Sequence, residues 1–428
     1  MKLINSLRGR PPAVRILTLW LVALPVALQA QYTYWTNNDD TITITAYTGS
    51  DGVVAIPGTI NGLPVTSIGQ EAFTGASMTG VIIPNSVTSI GYGAFRACPG
   101  LTSVTLPNSV TGIEPYAFAN CTGLTTVTIP GSMTALGWGV LNGCTTLTNI
   151  TVDALNPAFS TLGGVLFNKG LNTLVTYPGG RRGVYFVPNG VTYIGDWGFY
   201  SCLGLTDVVI PDSIVEIGGS AFESCTGLTR VMIPDSVVYL DTRAFYGCSA
   251  LTNVAVPDSV ISIGCSIFVD CTSLKTVNIG RGVTALGACE GGLGSLLPVF
   301  AGCTNLEGVY FAGDAPAARN IFGDDATNIT VYYLPNTTGW GSIFGGRPAV
   351  LWNPVIQVGN GGFGVRPQSF GFDIAGTTNI PFVVEASTTL TASSWMRLQS
   401  LTLTNGLVTF SDATWTNHSA RFYRIRSP

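Results

Sequence analysis

The stretch AFESCTGLTRVMIPDSVVYLDTR, residues 221–243, holds one complete structural unit and shows how the chain is built. Leu228, Val231 and Ile233 are apolar, and the alternation from Val231 onward is that of a short strand with one buried face. Pro234 has no N–H to give a ladder, so it ends the strand. Asp235 and Ser236 suit the turn that follows, after which Val237 and Leu240 return to the core. The same frame opens at Ala94 (AFRACPGLTSVTLPNSVTGIEPY) and again at Ala117 (AFANCTGLTTVTIPGSMTALGWG), each 23 residues long. Pro84, Pro107 and Pro130, then Pro188, Pro211, Pro234 and Pro257, keep that step, and Gly280 stands in the proline's place one step on. A lone frame of this length buries too little apolar surface to offset the ordering of its backbone. Such units exist as stacked arrays that share ladders and a core.

The consensus L-x-x-V-x-I-P-x-S-V-x-x-I-G-x-x-A-F-x-x-C resembles the leucine-rich repeat of BspA-like bacterial surface proteins, over roughly residues 50 to 350. The resemblance implies a mostly β, right-handed solenoid of about nine coils, with parallel strands on one face and short strands, turns or helical turns on the other. It also implies a role in surface attachment or in binding host or matrix components.

The regular array is expected over residues 50–311, behind an N-terminal strand or cap at 31–49. Two insertions edit it. Between Leu141 and Phe199 an irregular island at 151–187 lengthens the step to 58, and GVLFN and TLVTYP around Lys169-Gly170 read as a β-hairpin there. Between Phe268 and Phe300 the step is 32, with an insert at 288–297. Residues 312–352 read as a C-terminal cap, in which Val331, Tyr333, Trp340 and Trp352 would cover the end of the core. Residues 353–368 read as a linker, and 369–428 as a small all-β, sandwich-like module for attachment or export sorting.

Eight of the ten cysteines, Cys98, Cys121, Cys144, Cys202, Cys225, Cys248, Cys271 and Cys303, fall three residues after the coil's Phe position, which Leu141 fills once. Equivalent residues of stacked coils lie about 4.8 Å apart with parallel Cβ vectors, whereas a disulfide needs Cβ atoms about 3.8 Å apart. These eight are therefore expected as a buried ladder of free thiols packed as small hydrophobes. Cys265 and Cys289 break the register by one residue, which lets their side chains converge, and they form the disulfide candidate.

With the valines and isoleucines inward, the strands present Ser103/Thr105, Thr126/Thr128, Asn149/Thr151, Asp207/Val209, Arg230/Met232, Asn253/Ala255 and Thr276/Asn278 outward. Asp207, Arg230, Met232, Asn253 and Asn278 are the candidate ligand-binding residues, set against a simply solvated sheet. Asp212, Asp235 and Asp258 stack after the prolines and read as caps of their own turns, since Asn85, Asn108 and Asn189 fill the same place without charge. Tyr92, Tyr116, Trp138 and Trp197, just before the Phe position, read as rings packed at coil edges, with stacking on sugars as the alternative.

What is missing narrows the function. His418 is the only histidine, there is no C-x-x-C, and no catalytic motif is present, so no metal, cofactor or enzymatic activity is expected. GNGGFG at 359–364 fits a dinucleotide fingerprint only as a string, without the strand and helix that would give it meaning. A net charge of −4, with only three lysines, argues against nucleic acid. Lys2, Arg8, Arg10 and Arg15 precede the apolar run Ile16 to Leu28 and a small residue at Ala30, the pattern of a signal peptide over 1–30. No later run is long enough for a membrane helix, so the mature chain is expected to be secreted or at the cell surface. The expected function is binding or adhesion to a protein or glycan through the solenoid. A structural envelope or matrix protein without a discrete ligand is the alternative, and an accessory module of a carbohydrate-active enzyme a more distant one.

Overall fold

The computed structural model describes residues 31–49, 52–288, 297–324, 328–359, 361–390 and 395–428. The expected signal peptide and most of the 288–297 insert lie outside them. The chain divides into two compact units, one of residues 1–170 with 178–180, the other of 171–177 with 181–428. Both are built of parallel β coils. Among the described residues the only helical element is a 3-10 turn at Trp415–Asn417.

In the first unit Tyr32–Thr36 pairs antiparallel with Ile42–Tyr47, and this pair opens a sheet continued in parallel by Leu63–Ile68, Ser89–Ile90, Gly112–Ile113 and Ala135–Leu136. The opposite sheet carries Gly52–Ala55, Met78–Ile82, Ser103–Thr105, Thr126–Ile129 and Asn149–Val152. Register follows the repeat: Val104 pairs with Val127 and Val127 with Ile150. The island departs from the array at Asn156, which is buried. Its Nδ2 donates to the carbonyls of Pro130 (2.7 Å) and Met133 (2.9 Å), and its Oδ1 accepts from the N–H groups of Ala158 (2.9 Å) and Phe159 (2.7 Å). A hairpin follows, Phe159–Leu162 with Val165–Asn168. Its two turn residues, Gly163 and Gly164, both have positive φ (57° and 80°), the conformation a tight hairpin needs. The spacing marks GVLFN as half of a hairpin with TLVTYP and does not reveal its pairing with Phe159–Leu162.

The second unit repeats the plan. Tyr193–Ile194, Glu216–Ile217, Tyr239–Leu240, Ser262–Gly264 and Ala285–Ala288 run in parallel on one side. On the other, Gly183–Phe186, Leu205–Val209 and Arg230–Met232 form one sheet, followed by a second with Asn253–Val256, Thr276–Ile279, Gly308–Phe311, Thr330–Tyr333 and Arg347–Leu351. Residues 312–352 thus add strands to the array as well as closing it. Trp340 stacks on Tyr333 (5.1 Å between centroids) and packs against Phe311 and Phe344.

Each coil closes through a turn that the strand pattern did not reveal. In the regular coils the residues two before and two after the aromatic adopt the left-handed conformation, even where they are not glycine. Glu71, Tyr116, Trp197, Ser220, Arg243 and Ser266 do so before it, and Ala97, Asn120, Ser201, Ser224 and Asp270 after it, all with φ between 53° and 61°. Between the two reversals the aromatic points into the core and stacks on its neighbours: Phe95 on Phe118 at 5.1 Å, Phe199 on Phe222 at 4.8 Å, Phe222 on Phe245 at 5.3 Å. Phe322 continues this column beyond Phe300 at 5.6 Å.

The eight in-register cysteines are free and buried. They are also hydrogen-bond donors. Each Sγ–H points at the carbonyl of the aromatic one coil back: Cys121 to Phe95 (3.1 Å), Cys225 to Phe199 (3.0 Å), Cys248 to Phe222 (3.2 Å) and Cys303 to Phe268 (3.0 Å). The Phe222 carbonyl also takes the N–H of Cys225, so one buried acceptor serves two coils. Burial pushes the Cys144 thiol up to about 12 and raises Cys202, Cys248 and Cys271 well above the usual range. Cys265 is disulfide-bonded; its expected partner, Cys289, lies outside the described residues.

Beyond Trp352 the pairing becomes antiparallel. The expected linker at 353–368 is instead structured, because Val355–Gln357 and Gly364–Arg366 both pair along Ser369–Ala375. Leu407–Asp412 lies on that strand's other edge. A second sheet has Pro381–Ser387 between Met396–Thr402 and Phe422–Arg426. Phe372, Phe382, Phe410 and Leu403 share one core with Tyr310 and Tyr332, and the Trp352 Nε1–H donates to the Pro381 carbonyl at 3.0 Å. The antiparallel region is thereby seated on the last parallel coils, and Trp352 fastens it there.

Candidate ligand-binding face

The outward side chains of the second unit's broad strands fall into two rows. In one, Val184 pairs in register with Asp207 and Asp207 with Arg230; in the other, Phe186 pairs with Val209 and Val209 with Met232. Asn253 and Ala255 occupy these places one coil on, followed by Thr276 and Asn278, then Gly308 and Tyr310, then Thr330 and Tyr332.

Of the five expected binding residues, four lie together on the outward strand face, three of them exposed and Asp207 partly covered. Asp207 and Arg230 are not two independent charges, however. The Arg230 Nε–H donates to Asp207 Oδ2 at 2.8 Å, with Nη2 at 2.7 Å, so the pair is internally neutralised. Met232 is 74% exposed, and Asn253 is exposed with its Oδ1 accepting the Thr276 hydroxyl at 2.7 Å. Asn278 does not belong to the open face, which corrects the expectation for it and for Thr276. Thr276 is buried, and Asn278 Oδ1 accepts the Ser427 hydroxyl at 2.5 Å, because the segment after Phe422–Arg426 lies across this row. The Thr276 hydroxyl also reaches the Pro428 carbonyl at 3.3 Å.

Sequence reasoning missed the aromatic member of the face. Phe186 is 68% exposed, in line with Met232 and the partly exposed Val209. Pro188 was the available signal, since counting back from it places Phe186 in the same strand slot as Met232. The apolar row Phe186, Val209, Met232 is flanked by an ion pair that neutralises itself, and apolar side chains at this level of exposure in one register line are unusual for a solvated sheet.

Other expected features resolve more simply. Tyr92 meets Tyr116, and Tyr116 meets Trp138, edge to face at 5.7 and 4.5 Å, the packed arrangement of aromatics at coil edges. Asp258 reaches beyond its own turn: its Oδ1 accepts the N–H of Arg281 in the next coil at 2.8 Å. The described residues contain no His, Cys, Asp and Glu grouping able to hold a metal ion. Nor do they contain a helix long and apolar enough to cross a membrane.

The BspA type leucine rich repeat region matches residues 64–175 and 185–289 in six copies, just over half of the chain. The chain belongs to the BspA-type leucine-rich repeat family. The crystal structure of the pneumococcal vaccine antigen PcpA, 17% identical, is matched over 71% of this chain and 92% of that one with a TM-score of 0.51, and shows the same fold. A leucine rich cell surface protein from Faecalibacterium prausnitzii is 25% identical over 66% of this chain and 94% of its own, with a TM-score of 0.39. A leucine-rich repeat protein of T. pallidum is 28% identical over 52% of this chain and 88% of its own, with a TM-score of 0.34. No curated protein matches the chain significantly. In this BspA-type chain the repeat supplies the coils, while the strand-face side chains vary from coil to coil.

Proposed function

We propose that this BspA-type repeat protein is exported to the cell surface and works without catalysis, binding a protein partner through the open strand face of its second unit. The observation that carries this reading is the in-register row of Phe186, Val209 and Met232, of which Phe186 and Met232 are 68% and 74% exposed. Large apolar side chains of this kind form the centre of protein interfaces, with polar groups at the rim excluding water. Asp207, Arg230 and Asn253 supply that rim. The membership of the family, and a structural relative described as a vaccine antigen, support a surface role.

The test is binding of the purified protein to an array of matrix proteins and glycans, repeated with Phe186→Ser and Met232→Ser. Each substitution should weaken the captured interaction about tenfold or more. An array with no saturable binder would favour a purely structural envelope protein. A binder indifferent to both substitutions would move the site away from this face.

A further inference from the structure

A cavity of about 360 Å³ lies where the antiparallel region meets the last parallel coils, and its walls include Tyr310, Tyr332, Trp352, Asp258, Asn278 and Arg426. Its volume is at the lower end of the range for small-molecule sites, room for a ligand of one or two rings. The Tyr310 and Tyr332 rings stack at 4.6 Å and 12°, and Trp352 stands perpendicular to Tyr310 at 6.5 Å. The Trp352 N–H is already given to Pro381, so the indole contributes apolar surface to the cavity.

The polar atoms of the wall are partly committed, and what is left over defines a ligand. Asp258 gives one carboxylate oxygen to the Arg281 N–H. Its other oxygen is an acceptor in an exposed residue. Asn278 uses Oδ1 to accept from Ser427, which leaves its NH₂ as a donor. Arg426 is held by Glu385 and by the Ser427 carbonyl, so its charge is answered inside the protein. Burial, then the neighbouring Tyr332 phenol, raises the Tyr310 hydroxyl well above its ordinary value, so it stays a protonated donor at physiological pH. Aromatic walls, one carboxylate, one amide and no unanswered cation disfavour a phosphate or carboxylate ligand. They suit a neutral ring that has apolar faces and hydroxyl groups at its edge.

The geometry points to a saccharide site in this cavity, one that takes a neutral pyranose against Tyr310, Tyr332 and Trp352 and holds its hydroxyls with Asp258 and Asn278. It is separate from the strand face carrying Phe186, so each can fail without the other.

Calorimetric titration of the full chain with the methyl glycosides of glucose, galactose, mannose and N-acetylglucosamine tests it. At least one glycoside should saturate in the millimolar range or tighter. Asp258→Asn, which keeps the acceptor for Arg281, and Asn278→Ala should each weaken it about tenfold or more. Phe186→Ser should leave it unchanged. Failure of all four glycosides to saturate, or saturation that neither Asp258→Asn nor Asn278→Ala alters, would overturn the assignment.

Discussion

At a left-handed backbone position the penalty for a side chain depends on branching at Cβ, and the regular coils of this protein have two such positions. Ser224 sits at one of them with φ 61°. Ser224→Val should therefore lower the free energy of unfolding by about 1–2 kcal/mol, while Ser224→Gly leaves it nearly unchanged, as read by urea denaturation. The in-register cysteines have a different vulnerability. Cys248→Ala removes a buried donor from the Phe222 carbonyl and leaves a small void, for an expected loss of about 1–2 kcal/mol. The 23-residue step made the burial and free state of these thiols legible. Their donor role was not, because it depends on where a carbonyl points one coil back. For Cys265, alkylation of the denatured, unreduced protein should block eight of the ten cysteines, with Cys265 and Cys289 recovered in one crosslinked peptide.

Among the elements, the island hairpin hangs on one side chain. Asn156 makes four hydrogen bonds to backbone groups on both sides of its turn. Asn156→Ala leaves all four without that partner and should cost about 3 kcal/mol in thermal or urea unfolding. The break in step showed that the island departs from the array, but nothing in the spacing singled out Asn156 over the asparagines around it. The antiparallel region depends on charge instead. Burial works to raise the Glu385 carboxyl, yet hydrogen bonds from Arg426 and Arg424 outweigh it and hold the group below its ordinary value. Asp412 is likewise lowered: against burial stand bonds from Thr414 and Tyr423 and the Arg421 guanidinium. Both groups are depressed in the folded state, so their contribution is fully present above the unfolded carboxylate range and is lost as the pH falls through the lower folded values. Acid titration followed by near-ultraviolet circular dichroism should show this region loosening below about pH 4, and Glu385→Gln should abolish much of that dependence. Little of this was legible beforehand, since alternation marked the strands but not the two arginines facing one glutamate.

Taken as a whole, the second unit has one outward row that changes character along its length: open at Phe186, Val209 and Met232, crossed by Ser427 at Asn278, and covered at Tyr310 and Tyr332 by the antiparallel region. The repeat made the row itself legible from proline spacing and strand alternation. Its cover was not, because Ser427 and Asn278 are 149 residues apart and no periodic signal links them. The thiols run along both units in the same orderly way, and they give the protein a property unrelated to binding. A thiol closed to solvent reacts with an alkylating reagent only when its own coil opens. Mass spectrometry of peptides taken at intervals during native-state labelling would therefore yield a separate opening free energy for each of eight positions. In a chain stabilised by nearest-neighbour contacts those values should differ from coil to coil, so the cysteines that build the core also report how each stretch of it comes apart.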